Sequence, residues 1–262
     1  MGSATTQALA ASASALATTK GITIDVASEL FAVARLLDGS TQLSGALADA
    51  TVPAEGRAKV AADVFGSLSA PTQTVLAAAV SQRWSRAADL VDGIEELAIR
   101  AASIATPATD VAGELFQVTR VVAANPELEL ALGSRLGDAS AKGALIERIL
   151  GGSTSAATAL IVSSLVRHPR DRRVRQLLSR AEGIVSAQRE NVVATVQSAT
   201  PLSEAQQKRL GEALARRYGS NVSLNVVVDP AVVGGLRVQV ADDVIDGSIS
   251  ARLADLRQRL AG

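Results

Sequence analysis

The chain has 262 residues, with 26 basic and 26 acidic side chains, one histidine and no cysteine. Neutral charge leaves no whole-molecule field that would draw it to nucleic acid or an anionic membrane. The missing cysteines exclude disulfides, thiolate metal sites and cysteine nucleophiles. Apolar residues make up 48% and aromatics 2%, so the core is Ala, Val, Leu and Ile in closely packed helices, without the aromatic platforms on which bases stack. A single histidine argues against a His-built metal cluster or a Ser-His-Asp triad, and no cofactor is expected.

Along the chain, the first 19 residues carry no charge, and Lys20 is the first base. A secretory signal would place positive charge ahead of its apolar run, so none is expected. Leu30, Val33, Ala34 and Leu37 then recur at helix-face spacing over residues 29–37, and Gly39-Ser40 breaks that helix. "RAKVAADVFG" reads as a further helix with Gly66 as its C-cap. A longer helix over about 87–105 follows and stops before Pro107.

From Asp110 the sequence repeats itself. Residues 25–82 align with 110–167 at an offset of 85 without a gap, and thirteen of the 58 positions are identical. The identities include Asp25/Asp110, Glu29/Glu114, Arg35/Arg120 and Gly66/Gly151, which a shared helical period alone does not place. The apolar pairs Val60/Leu145, Val64/Ile149, Phe65/Leu150, Val75/Leu160 and Val80/Leu165 read as a common apolar frame. Surface charge differs between the copies: residues 25–104 carry ten acids and six bases, residues 105–190 nine acids and eleven bases. The copies therefore meet different partners, or one meets the other. The longest central run without charge, residues 151–166, is too short to span a bilayer.

"RHPRDRRVR", residues 167–175, holds five arginines. Three readings stand for it: a solvated inter-helix segment, a site for an acidic protein, or a nucleic-acid patch without aromatics. His168 reads as a loop residue.

After Glu190 the pattern changes. "NVVATVQSA" alternates as a strand. Ser203 and Gln206 form a capping box for a helix that ends at Gly219. "VSLNVVVD" and "GLRVQVAD" are two further strands, and Ser248 caps a last helix. The fold class is thus mainly α: two tandem Ala-rich helical bundles, then a small strand-helix-strand-strand-helix α/β module. The expected domains are 1–105, 106–190 (its first helix shared from about 88) and 191–262.

Gly234-Gly235 raises the question of a phosphate loop. Such a loop opens a helix and closes with Lys or Ser/Thr. Here the pair precedes a strand, so it reads as a turn, as do Asp246-Gly247-Ser248. Asp242, Asp243 and Asp246 lack further ligands at loop spacing and read as a solvated turn. In the last helix Ile249, Leu253, Leu256 and Leu260 form a narrow apolar stripe.

"DPAVVGGLRVQVADDVIDGSISARLADLRQRL", residues 229–260, resembles the C-terminal signature of the δ subunit of F-type ATP synthases. The shared features are Asp229-Pro230, Gly234-Gly235, Ile245-Asp246-Gly247-Ser248 and the Arg-Leu-rich run 252–260. "SATPLSEAQQKRL", residues 198–210, is similar to that family's entry into the same module, and the second repeat to its helical bundle. Residues 91–262 thus cover an ordinary member. The extra bundle in front resembles the actinobacterial form, in which this domain is duplicated. The Arg-Tyr-Ala helix that opens typical members is absent.

The resemblance implies a non-catalytic stator subunit of the peripheral stalk in a hetero-oligomer. It implies partners in the α subunits of the catalytic head, with β as a further contact, and in the membrane-anchored b subunits. It implies a peripheral place on the cytoplasmic face of the plasma membrane, with no membrane insertion and no nucleic acid. It also implies that b meets Ile249, Leu253, Leu256 and Leu260. An α-subunit N-terminal helix would lie between the first and fifth helices of the second bundle, about 91–105 and 158–166, on Leu97, Ala101, Ile104, Leu160, Ser164 and Leu165. Two other readings remain: a phosphate- or nucleotide-binding enzyme using Gly234-Gly235, and a helical adaptor for unrelated proteins.

Overall fold

The computed structural model describes residues 2–134, 138–150, 152–170, 172–218, 221–229, 232, 234–240 and 243–247. The chain divides into two compact units, Met1–Ala187 and Gln188–Gly262. The first is helical: α1 Ser3–Thr18, α2 Ile24–Gly39, α3 Thr41–Ala48, α4 Ala54–Phe65, α5 Ala70–Ser81, α6 Ala87–Ala105, α7 Val111–Ala124, α8 Pro126–Gly133, α9 Ala139–Leu150, α10 Ala156–Arg167 and α11 Val174–Glu190. No described helix is long and apolar enough to cross a membrane.

The repeat is visible helix by helix, with α2 to α5 answering α7 to α10. One buried core runs through both copies, from Ala8 on α1 to Val185 on α11. The helix α6 stands at its centre. Thirteen of its 19 residues are buried, including Asp89, Glu95 and Glu96, so it is covered on all sides rather than along one stripe. α2 packs along its length, and α1, α3, α5 and α10 also touch it. It thus packs on helices of both copies.

The helix α1 is an element that the sequence reading left unassigned. Its buried residues Thr5, Ala8, Ser12 and Leu16 step by three, four and four, the spacing of one helix face. With only one leucine among them, the apolar signal is faint. Thr5 Oγ1 donates to Asp89 Oδ2 at 2.8 Å, which ties this uncharged helix to α6.

A shared hydrogen-bond device corrects the gapless alignment. In the first copy the hydroxyls of Ser69 and Thr72 and the Ser69 backbone N–H all donate to the Glu29 carboxylate. In the second, Ser155, Thr158 and the Ser155 N–H do the same to Glu114. The glutamates are 85 apart, but the Ser and Thr partners are 86 apart. One residue has entered the turn after Gly151, beside Gly152 at φ 78°. Past it, Val75, Leu76, Ala79 and Val80 correspond to Ile161, Val162, Leu165 and Val166, all buried. Val75 therefore does not pair with Leu160, nor Val80 with Leu165.

Both carboxylates cap the N-terminus of a fifth helix from a distance, meeting its free N–H groups and dipole. Burial pushes each carboxyl up, but the combined hydrogen bonds outweigh it and hold each below the ordinary value of 4.5. A lowered folded value gives stability that is complete above the unfolded carboxylate range. That stability is lost as pH falls through the folded value. Glu29→Gln and Glu114→Gln are each expected to cost about 0.5–2 kcal/mol at neutral pH. The double variant should also lose less stability than the parent on acidification below about pH 4.5. Urea unfolding at pH 7 and pH 4 checks both, and equal acid sensitivity would contradict the capping account.

The second unit contains β1 Asn191–Ser198, α12 Glu204–Tyr218, β2 Asn221–Val228, β3 Leu236–Val240 and β4 Asp243–Asp246. The sheet order is β2-β1-β3-β4, with β1 parallel to β2 and the other pairs antiparallel. The helix α12 is the crossover that a parallel pair requires. Ala194, Val196, Leu214, Val238 and Val240 form the core. The capping box is present: Ser203 N–H donates to Gln206 Oε1 at 2.9 Å, and Gln206 N–H donates to Ser203 Oγ at 3.3 Å. The fourth strand was not expected. Residues 243–246 looked like a polar turn, but an edge strand with one exposed face needs little apolar content. Gly219 lies outside the described residues. Gly66 is the C-cap of α4, as the sequence indicates, in right-handed backbone at φ −64°.

Candidate functional site

Gly234 and Gly235 have φ 65° and 82°, the left-handed region that glycine enters without cost. They lead directly into β3 rather than into a helix N-terminus. Gly247 N–H donates to Leu236 O at 2.8 Å and closes the β3–β4 hairpin beside Asp246. Asp243 accepts the Tyr218 hydroxyl and lies 3.6 Å from Arg217, which turns its carboxylate to protein partners. Among the described residues no group of three or more His, Asp or Glu side chains could hold a metal. Ser248, Ile249, Leu253, Leu256 and Leu260 lie outside the described residues.

The six residues assigned to a groove on α6 and α10 stand together, though mostly inside. Leu97, Ala101, Ser164 and Leu165 are buried, whereas Ile104 and Leu160 are half-buried against the same core. The first copy supplies part of the cover: α2 lies on α6 and also touches α10. Ser164 lines a cavity of about 20 Å³ at this junction with Phe31 and Ala34 of α2 and with His168.

The arginine-rich stretch is used within the chain. Arg170, in the loop after α10, approaches Asp38 at 3.0 Å and Asp92 at 2.9 Å. Arg172 meets Glu95 at 2.7 Å, and Arg180 of α11 meets Glu95 and Glu96, each at 3.2 Å. Arg100 closes the network on Glu96 at 2.8 Å. Asp38 lies on α2 and the other acids on α6, so bases of the second copy meet acids of the first copy and of the shared helix. This accounts for much of the opposite charge of the two copies. Arg170 has φ 51°, a left-handed conformation costing about 1–2 kcal/mol in a non-glycine residue, which its ion pairs help to offset.

Several residues of the expected apolar frame, and the further pair Leu36 and Val121, are on the outside. Leu36, Val60 and Val64 of the first copy, and Val121, Leu145 and Ile149 of the second, are between 37% and 59% exposed. In the second copy Val121 and Ile149 line a cleft of about 310 Å³ with Gln117, Leu128 and Ile146. Phe116 is exposed whereas its counterpart Phe31 is buried. Phe31 packs where the second copy follows the first, and no further copy follows Phe116. The paired apolar character of these positions was the available signal, but pairing alone does not distinguish a core face from an outer one.

Comparison with known proteins gives consistent matches. The family described as ATP synthase delta (OSCP) subunit matches residues 98–260. A relative from Leifsonia xyli named ATP synthase subunit delta is 47% identical over 265 residues, covering 100% of each chain. One of the same name from Streptomyces avermitilis is 42% identical over 243 residues, covering 91% of this chain and 89% of its own. A chain in a Toxoplasma gondii mitochondrial ATP synthase hexamer aligns at 17% identity and a TM-score of 0.30, covering 64% of this chain and 97% of its own. At that level the likeness carries no argument.

Proposed function

The chain belongs to the ATP synthase delta (OSCP) subunit family, and from that membership we propose how its parts divide the work of a peripheral-stalk subunit. It is a non-catalytic stator component of the ATP synthase complex. In the proposed division, tandem bundles at 1–105 and 106–190, sharing α6, attach to the catalytic head. The module at 191–262 holds the membrane-anchored b subunits through Ile249, Leu253, Leu256 and Leu260. The assembly then lies at the cytoplasmic face of the plasma membrane, through its partners.

The observation that supports this reading is similarity over the whole length to a δ subunit, first copy included. An α-subunit N-terminal helix reaching α6 and α10 would rest on Ile104 and Leu160, the residues of that groove which remain accessible. The test is affinity purification of the tagged chain from membranes. The head subunits and b are expected to come with it, and Leu256→Asp is expected to release b while keeping the head. Recovery without head subunits overturns the division, and undiminished b with the variant overturns the assignment of that helix.

A further inference from the structure

We propose that the loop after α10, residues 168–170, is a pH-responsive latch between the two copies. It holds α2 while His168 is neutral and loosens when His168 takes up a proton. The latch belongs to the helical unit alone, whatever partners the chain meets.

His168 is the one histidine of the chain, and histidine is the side chain whose ordinary titration falls between pH 5 and 8. It follows α10 directly and is open to solvent on one side. On the other side it lines the small cavity at the junction of the copies, with Arg35 and Asp38 of α2, Glu95 of α6 and Arg170 of its own loop. A space of about 20 Å³ admits little more than one water. A proton taken up there gains little hydration on its inner side.

The charges around this cavity and its rim come from every element that meets there. Arg35 and Asp38 come from α2, Arg167 from α10, Asp92 and Glu95 from α6, Arg170 and Arg172 from the loop, and Arg180 from α11. Asp171 lies outside the described residues. The acids are already engaged: Asp38 and Asp92 by Arg170, and Glu95 by Arg172 and Arg180. A protonated His168 therefore adds a cation beside arginines, and it gains Asp38 only in competition with Arg170. The C-terminal end of α10 favours a cation there, as does Asp38. Burial, and then Arg35 and Arg167, oppose it, and His168 is held below its ordinary value of 6.5.

Arg170 makes the loop a latch. It reaches from the second copy to α2 of the first, 3.0 Å from Asp38. Its φ of 51° is left-handed, which a non-glycine residue holds only at a cost. The ion pairs thus hold the loop against its own backbone preference, and weakening them frees it. A lowered folded value gives stability that is complete above the ordinary histidine value and lost as pH falls through the folded one. The latch is closed at neutral pH and loosens on acidification.

Amide hydrogen exchange of the full chain at about pH 7.5 and pH 5.5, corrected for intrinsic rates, reads the latch in segments 31–38 and 161–170. Both conditions lie above the range in which Glu29 and Glu114 titrate. Protection of both segments is expected to fall about threefold or more in the parent on acidification. It should change little in His168→Gln, and His168→Arg should be weakly protected at both pH values. Proton NMR of the single imidazole should give a midpoint below about 6.5. An unresponsive parent, an equal acid response in His168→Gln, full protection in His168→Arg, or a midpoint at or above that value each overturns the latch.

Discussion

Replacing Glu95 with alanine is expected to lower the unfolding free energy of the helical unit by about 1–3 kcal/mol. Glu95 is 5% exposed. Arg172 and Arg180 reach its two oxygens from the loop and from α11, and Arg170 stands 3.8 Å away. Removing the carboxylate takes one buried acid from among three guanidinium groups that are 15% to 29% exposed and keep Asp38, Asp92 and Glu96 as partners. The loss therefore exceeds that of an exposed pair, which contributes about 0–1 kcal/mol, and falls short of that of a fully buried one. Glu95→Gln keeps the shape and one acceptor oxygen, while its NH2 faces the second arginine as a donor, so it should recover only part of the loss. Urea unfolding followed by circular dichroism checks this. A Glu95→Ala loss below 1 kcal/mol would show that the arginines find other partners, and that the clamp contributes little.

The second large effect is expected at Gly93. A methyl group there would stand 2.2 Å from Trp84 Cη2 and 2.6 Å from its Cζ3. The ring has little room to retreat: Trp84 is 4% exposed, and its indole N–H donates to Ala79 O at 2.8 Å. Gly93→Ala should therefore destabilise by about 2–3 kcal/mol through overpacking, although alanine is the better helix former by about 1 kcal/mol. Trp84→Leu removes the obstacle. The double variant Gly93→Ala/Trp84→Leu should be no less stable than Trp84→Leu alone. Additive losses would show that the glycine is needed for something other than the ring.

Most of the element order was legible because its signals are local. Gly39-Ser40 ends its helix through backbone geometry, and Ser203 with Gln206 opens another through two short-range hydrogen bonds. These depend on neighbours in sequence, so they survive without knowledge of the fold. What failed to show depends on neighbours in space. The helix α1 buries Thr, Ala and Ser, whose apolar pattern is too weak to read. β4 became a strand because β3 was beside it. Glu29 and Glu114 aligned at once, but their role needed Ser69 and Ser155, some forty residues away. Those partners also exposed the inserted residue that the identities had hidden.

The candidate surfaces were less legible for the same reason. Leu97, Ala101 and Leu165 have the residue types of a receiving groove, and they also have the residue types of a core. Sequence could not choose between these, because the cover on α6 includes α2, which belongs to the other copy. The arginines 170, 172 and 180 could have faced any acid, and the acids they found lie some 75 to 130 positions earlier. Val60 and Val64 carried the opposite ambiguity: apolar and paired, they looked internal and are not.

The central helix also bears on how force passes through the molecule. A stator must hold against twist, and two domains joined by a surface can creep where that surface shears. Here α6, 19 residues or about 28 Å long, packs on helices of both copies. Twist entering one bundle reaches the other along a continuous backbone, braced on several sides by α1, α2, α3, α5 and α10. The joint yields only if that helix bends or its surroundings unpack, so duplication has lengthened the lever without adding a hinge.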